Sequence, residues 1–83
     1  MKKYEKIISV ENFRNQIKNN ITAIETLENK YHILYSDSVQ YENYGYITIY
    51  YNGELISALY DSVDVLNARL RGIRQALSII KNN

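Results

Sequence analysis

Histidine occurs once in this chain, at His32, and cysteine is absent. Hydrolytic triads need an imidazole oriented by a second group, and zinc sites need about four ligands. One histidine without thiolates supports neither. Asp37, Glu42, Asp61 and Asp64 lack the alternating carboxylate spacing of a calcium loop, and they read better as loop solubility and helix capping. Ser36, Ser38 and Ser62 have no base to activate them. Gly45, Gly53 and Gly72 are too scattered to form a phosphate-cradling loop. The expectation is a protein that is not an enzyme and carries no metal and no cofactor.

Two groups of residues could instead carry recognition. Tyrosine appears nine times, whereas tryptophan is absent and phenylalanine appears once, so the large aromatic surface of this chain is almost wholly phenolic. Tyrosine offers contact area with few rotatable bonds and a hydroxyl that can stay hydrated, and it is enriched at interface hot spots. Tyr44, Tyr46 and Tyr50 lie two and four residues apart, which in a strand puts them on one face. Leu55 and Leu59 join them across a hairpin, Tyr41 extends the group through a loop, and Tyr31 or Tyr35 could add to it from a neighbouring strand. The second group is Arg69, Arg71 and Arg74, whose guanidinium forks suit phosphates and carboxylates. They could serve as a charged rim to the tyrosines or as a nucleic-acid contact on their own.

The elements that must position these residues follow from spacing. Tyr44 to Tyr51 and Glu54 to Tyr60 are β-branched and aromatic runs separated by Asn52-Gly53, a pair that favours a two-residue type I′ turn because both positions require positive φ. A plain two-residue register would set Tyr50 against Leu55, Ile49 against Ile56, Thr48 against Ser57, Ile47 against Ala58 and Tyr46 against Leu59. One face would then carry Ile47, Ile49, Ile56 and Ala58, suited to helix packing. The other would carry the tyrosines with Leu55 and Leu59. Val63, Leu66, Leu70, Ile73, Leu77 and Ile80 recur at alternating three- and four-residue steps and predict an amphipathic helix over about 62–81. Asp61 or Ser62 can cap it, with Asp64 in the first turn and Lys81 in the last.

The first part of the chain admits two readings. Ser9 can cap a helix whose stripe is Val10, Phe13 and Ile17, over about 10–19. The favoured continuation is a strand over about 21–27, turning through Glu28-Asn29 into a second strand over about 31–36, with Ile24 facing Ile33 and Glu25 facing His32. The alternative carries the helix on to Glu28, because Ile24 and Leu27 also keep helical spacing. The chain is expected to be a single α+β domain: an N-terminal helix, an antiparallel meander of three or four strands (about 21–27, 31–36, 44–51 and 54–60), and a long C-terminal helix packed on one face of the sheet. With the longer first helix the order becomes α–β–β–β–α, which is that of double-stranded-RNA-binding domains. The basic, glycine-containing entry to the last helix that marks that family is not found, since Asp61-Ser62-Val63-Asp64 is acidic, and no family is assigned.

Composition narrows the partners. A net charge of +1 over 83 residues announces neither a strongly basic nucleic-acid binder nor an acidic mimic. No run approaches the ~20 apolar residues of a membrane span. The apolar stretch after the basic opening is shorter than the ~7–15 residues of an export signal, so no membrane association and a cytoplasmic location are expected. Abundant Asn, Ile, Lys and Tyr suggest AT-rich coding, as in a low-GC bacterium, its phage or its plasmid. The expected function is a non-enzymatic protein-binding module, acting as a homodimer or as a phage- or plasmid-encoded inhibitor of a host macromolecule such as a defence-system nuclease. Its partner would be a larger protein or protein–nucleic-acid complex. The alternatives are a nucleic-acid-binding domain using the three arginines and an oligomeric protein that sequesters a small ligand.

Overall fold

In the computed structural model, the backbone of residues 2–82 and the side chains of residues 15–82 are described. The order is α1 (Lys2–Leu27), β1 (Tyr31–Asp37), β2 (Tyr44–Tyr51), β3 (Glu54–Ser62) and α2 (Val63–Asn82). The three strands form one antiparallel sheet in the order β1-β2-β3. The architecture is α+β, with both helices on one face of the sheet.

The strand expected over 21–27 is part of α1. Helix continues through Asn19-Asn20-Ile21-Thr22 because the helical period buries Ile17, Ile21 and Ile24 together, next to Leu66 and Leu70 of α2. Each such side chain contributes about 1.5–3 kcal/mol on burial, which outweighs the few tenths of a kcal/mol that Asn, Ile and Thr give up in helix propensity. Asn20 does not break the helix because its side chain is used. It is buried, and its Nδ2 donates to Asn67 Oδ1 at 3.1 Å. Asn67 Nδ2 in turn donates to the Gln16 carbonyl at 3.0 Å. At the other end, Lys81 Nζ donates to the Leu27 carbonyl at 2.6 Å, supplying a donor to the last turn of α1. These contacts set α1 and α2 side by side and parallel.

With 21–27 in a helix, β1 has one strand neighbour, β2, and Ile33 faces Ile49 instead of Ile24. Glu25 still meets His32, but from α1. Its Oε1 accepts the Ile33 N–H at 2.9 Å and lies 3.6 Å from His32 Nδ1. That carboxylate occupies an N–H on the outer edge of the sheet.

Asn52 and Gly53 adopt φ of 56° and 85°, the pair of positive values a type I′ turn requires. The register beyond the turn differs from the simple expectation. Tyr50 faces Leu55, but Ile49 faces Ser57, Thr48 faces Ala58, Ile47 faces Leu59 and Tyr46 faces Tyr60. Ile56 is the extra residue of a β-bulge. The bulge exchanges Ala58 for Leu59 on the helix-facing side, so a larger apolar side chain reaches the core. Leu59 is therefore half-buried against the aliphatic core, as are Ile73 and Leu77 of α2, and Tyr60 takes the outer position. Ile56 is exposed and does not join the core.

The chain passes from β3 into α2 without a loop. Ser62 Oγ accepts from Val65 N at 3.4 Å as the N-cap, Asp61 Oδ1 accepts from Ser62 N at 2.8 Å, and the Asn43 carbonyl accepts from Val63 N at 2.7 Å. Burial along the α2 stripe falls steadily. Val63, Leu66 and Leu70 are buried, Ile73 and Leu77 are half-buried, and Ile80 is 70% exposed. Gly72 does not mark a close approach to the sheet. A Cβ built there meets nothing within 4 Å, so its cost of about 1 kcal/mol relative to Ala has no return within this chain.

Candidate interaction surface

The strand alternation sorts the tyrosines onto two faces. β1 turns Tyr31 and Tyr35 toward the helices, half-buried, and His32, Leu34 and Ser36 outward. Tyr31 packs edge-on against Tyr51 with centroids 4.9 Å apart, at the core margin. Neither Tyr31 nor Tyr35 extends the outer face, and Leu59 does not belong to it. The outer face is built from Tyr44, Tyr46, Thr48 and Tyr50 on β2, Leu55, Ala58 and Tyr60 on β3, and Leu34 on β1.

Four rings run continuously across this face. Tyr41 lies 5.4 Å from Tyr44, Tyr44 lies 5.8 Å from Tyr60, and Tyr60 lies 4.5 Å from Tyr46. Tilted ring pairs at these distances add about 0.5–1.5 kcal/mol beyond burial. Tyr46 is 46% exposed, Tyr41 58% and Leu55 52%; Tyr50 is half-buried beside Leu55. Tyr41, though in a loop, is held in place. Ser38, buried, accepts the Gln40 and Tyr41 N–H groups on its Oγ at 3.0 and 3.2 Å, and its N–H donates to the Tyr44 carbonyl at 2.9 Å. Both Ser38 lone pairs are thereby used, so its hydroxyl proton is the one shared with Tyr60 Oη at 3.3 Å. The turn ends at Asn43, whose φ of 60° asparagine tolerates better than most residues.

Sequence reading missed Tyr60 because it assumed an unbroken register, and a bulge leaves no mark in apolar alternation when Leu and Tyr stand side by side. Leu34 was missed because its strand was paired with the wrong neighbour.

The arginines lie on the opposite layer, on α2. Arg69 and Arg71 are exposed and Arg74 is half-buried. Two residues on a helix stand about 200° apart, so Arg69 points to the β3 side of α2 while Arg71 and Arg74 point away from it. They neither form one footprint nor rim the tyrosine face. Asn67 and Lys81, on the same helix, are bonded to α1.

A cleft of about 500 Å³ opens between α2 and the inner side of the sheet at its β3 margin. Ile49, Ile56, Leu59, Ile73 and Ala76 make it largely apolar, with Arg69 as its one charge. Among the described residues no group of three His, Asp or Glu side chains could hold a metal ion, and no helix is long and apolar enough to cross a membrane. Compared with models of known protein families, with curated proteins and with solved structures, the chain matches none.

Proposed function

We propose that this chain is a non-enzymatic protein-binding module that docks a larger protein or protein–nucleic-acid complex through the outer face of its sheet. The observation that carries this reading is the uncovered run Tyr41–Tyr44–Tyr60–Tyr46. Both helices lie on the other face, so these rings are not core. Together with Leu34, Leu55 and Tyr50 they make an apolar patch of several hundred Å², the size that marks interaction sites. The sheet backbone beneath fixes the rings, which reduces the ordering cost of docking. A compact inhibitor of a macromolecule, encoded by a phage or plasmid and directed at a target such as a defence nuclease, is the role that suits a small chain with an open recognition face.

The test is affinity capture from a host lysate with the native chain and with Tyr44→Ala and Tyr46→Ala, read beside circular dichroism. Both variants should lose the captured partner and keep the native spectrum. Retention of the partner by both would refute the reading.

A further inference from the structure

The cleft between α2 and the β3 margin encloses about 500 Å³, within the ~300–1,000 Å³ of small-molecule sites. On its helix side, Arg69, Gly72, Ile73 and Ala76 recur at the three- and four-residue steps of one helix face. On its sheet side, buried Ile49 and half-buried Leu59 form the floor. Ile56, the extra residue of the bulge, lines the cleft at 53% exposure. The bulge thus leaves a large aliphatic side chain beside the cleft, half in water.

The electrostatics of the cleft are one-sided. No Asp or Glu lines it, and its polar groups besides Arg69 are the hydroxyls of Tyr31 and Ser57. Arg69 is exposed, which sets its charge at the mouth of the cleft. Among the described residues it has no ion pair and no hydrogen bond. A guanidinium fork therefore stands unpaired beside an aliphatic space.

We propose that this cleft binds a small amphiphilic monoanion, an unbranched medium-chain carboxylate, with its head on Arg69 and its tail between Ile73 and the floor of Ile49 and Leu59. The fork of Arg69 can take a carboxylate in bidentate fashion, and one positive charge balances one negative charge. Burying the tail removes apolar surface of both ligand and Ile56 from water. Ala76 lies two helical turns beyond Arg69, about 10 Å along the axis. Carbon–carbon bonds of about 1.5 Å advance a zigzag chain by about 1.3 Å per carbon, so roughly eight carbons cover that length. A cationic amphiphile would meet Arg69 as a like charge. A peptide would carry N–H and C=O groups into an aliphatic space with few partners for them. A neutral hydrocarbon would leave Arg69 unanswered.

Titration of the isolated chain with decanoate, followed through its amide chemical shifts, tests this. At about 1 mM ligand, a site of millimolar affinity or better is at least half filled. Decanoate should shift the amides of Ser57, Gly72 and Ile73 and leave those of Tyr44 and Tyr46 in place. Decyltrimethylammonium, with the same tail and the opposite charge, should bind about fivefold more weakly or worse. Arg69→Gln should weaken decanoate binding by about fivefold. Gly72→Leu meets open space at its Cβ and replaces glycine with a better helix former, so it should stay folded, fill the cleft and bind neither ligand. No shift with decanoate, shifts confined to the tyrosine face, or native decanoate affinity in either variant would overturn the proposal. These readouts use no protein partner and concern the other side of the sheet, so they can fail independently of the tyrosine-face reading.

Discussion

Asn20 and Asn67, 47 positions apart in sequence, share an amide–amide hydrogen bond of 3.1 Å at the seam between α1 and α2. The second amide is held by the Gln16 carbonyl, so a small polar ladder runs through an otherwise aliphatic contact. It fixes the lateral register of the two helices. Asn67→Ala leaves the Asn20 amide buried without its partner, and should lower unfolding free energy by about 1–3 kcal/mol. Replacing both asparagines with leucine should recover much of that loss, since an apolar pair leaves no polar group stranded. Urea denaturation of the two single variants and the double variant measures the coupling.

That ladder also shows why the N-terminal third of the chain was hard to read. Residues 21–27 fit a strand by local composition and a helix by the spacing of Ile17, Ile21 and Ile24. The choice rests on Leu66, Asn67 and Leu70, which no local window contains. The Asn52-Gly53 hairpin and α2 were legible because a turn requiring positive φ and a long three-four period each admit one reading. The open tyrosine face was legible only in part. Its aliphatic counterpart, Ile47 and Ile49, announced one covered side, but nothing in the alternation shows that both helices choose that side. Nor could alternation reveal the bulge, since an added residue simply exchanges Leu59 for Tyr60.

The bulge makes a contrast between those two neighbours. Leu59→Ala empties part of the core margin, and should cost about 1–2 kcal/mol. Tyr60→Ala removes an exposed ring and its link to Ser38, and should cost less in stability while impairing partner binding. Thermal melts with parallel binding measurements check the pair. The reverse order of destabilisation would restore the simple register.

Glu25 guards the β1 edge, and its task is to accept a hydrogen bond, which an amide oxygen can also do. Glu25→Gln should therefore be close to native. Glu25→Ala should lose about 1 kcal/mol and speed exchange of the Ile33 amide. Equal exchange rates at Ile33 in both variants would show that the carboxylate does not hold this edge.

The tyrosine face is the proposed docking surface, and the inner ring Tyr31 is its internal control. Binding isotherms of an identified partner should show Tyr46→Ala weakened by about tenfold or more, as for an interface hot spot, with an unchanged circular dichroism spectrum. Tyr31→Ala should instead lower the melting temperature and leave the affinity of the folded fraction intact. If Tyr46→Ala binds as the native chain does while Tyr31→Ala does not, the outer face is not where the partner docks.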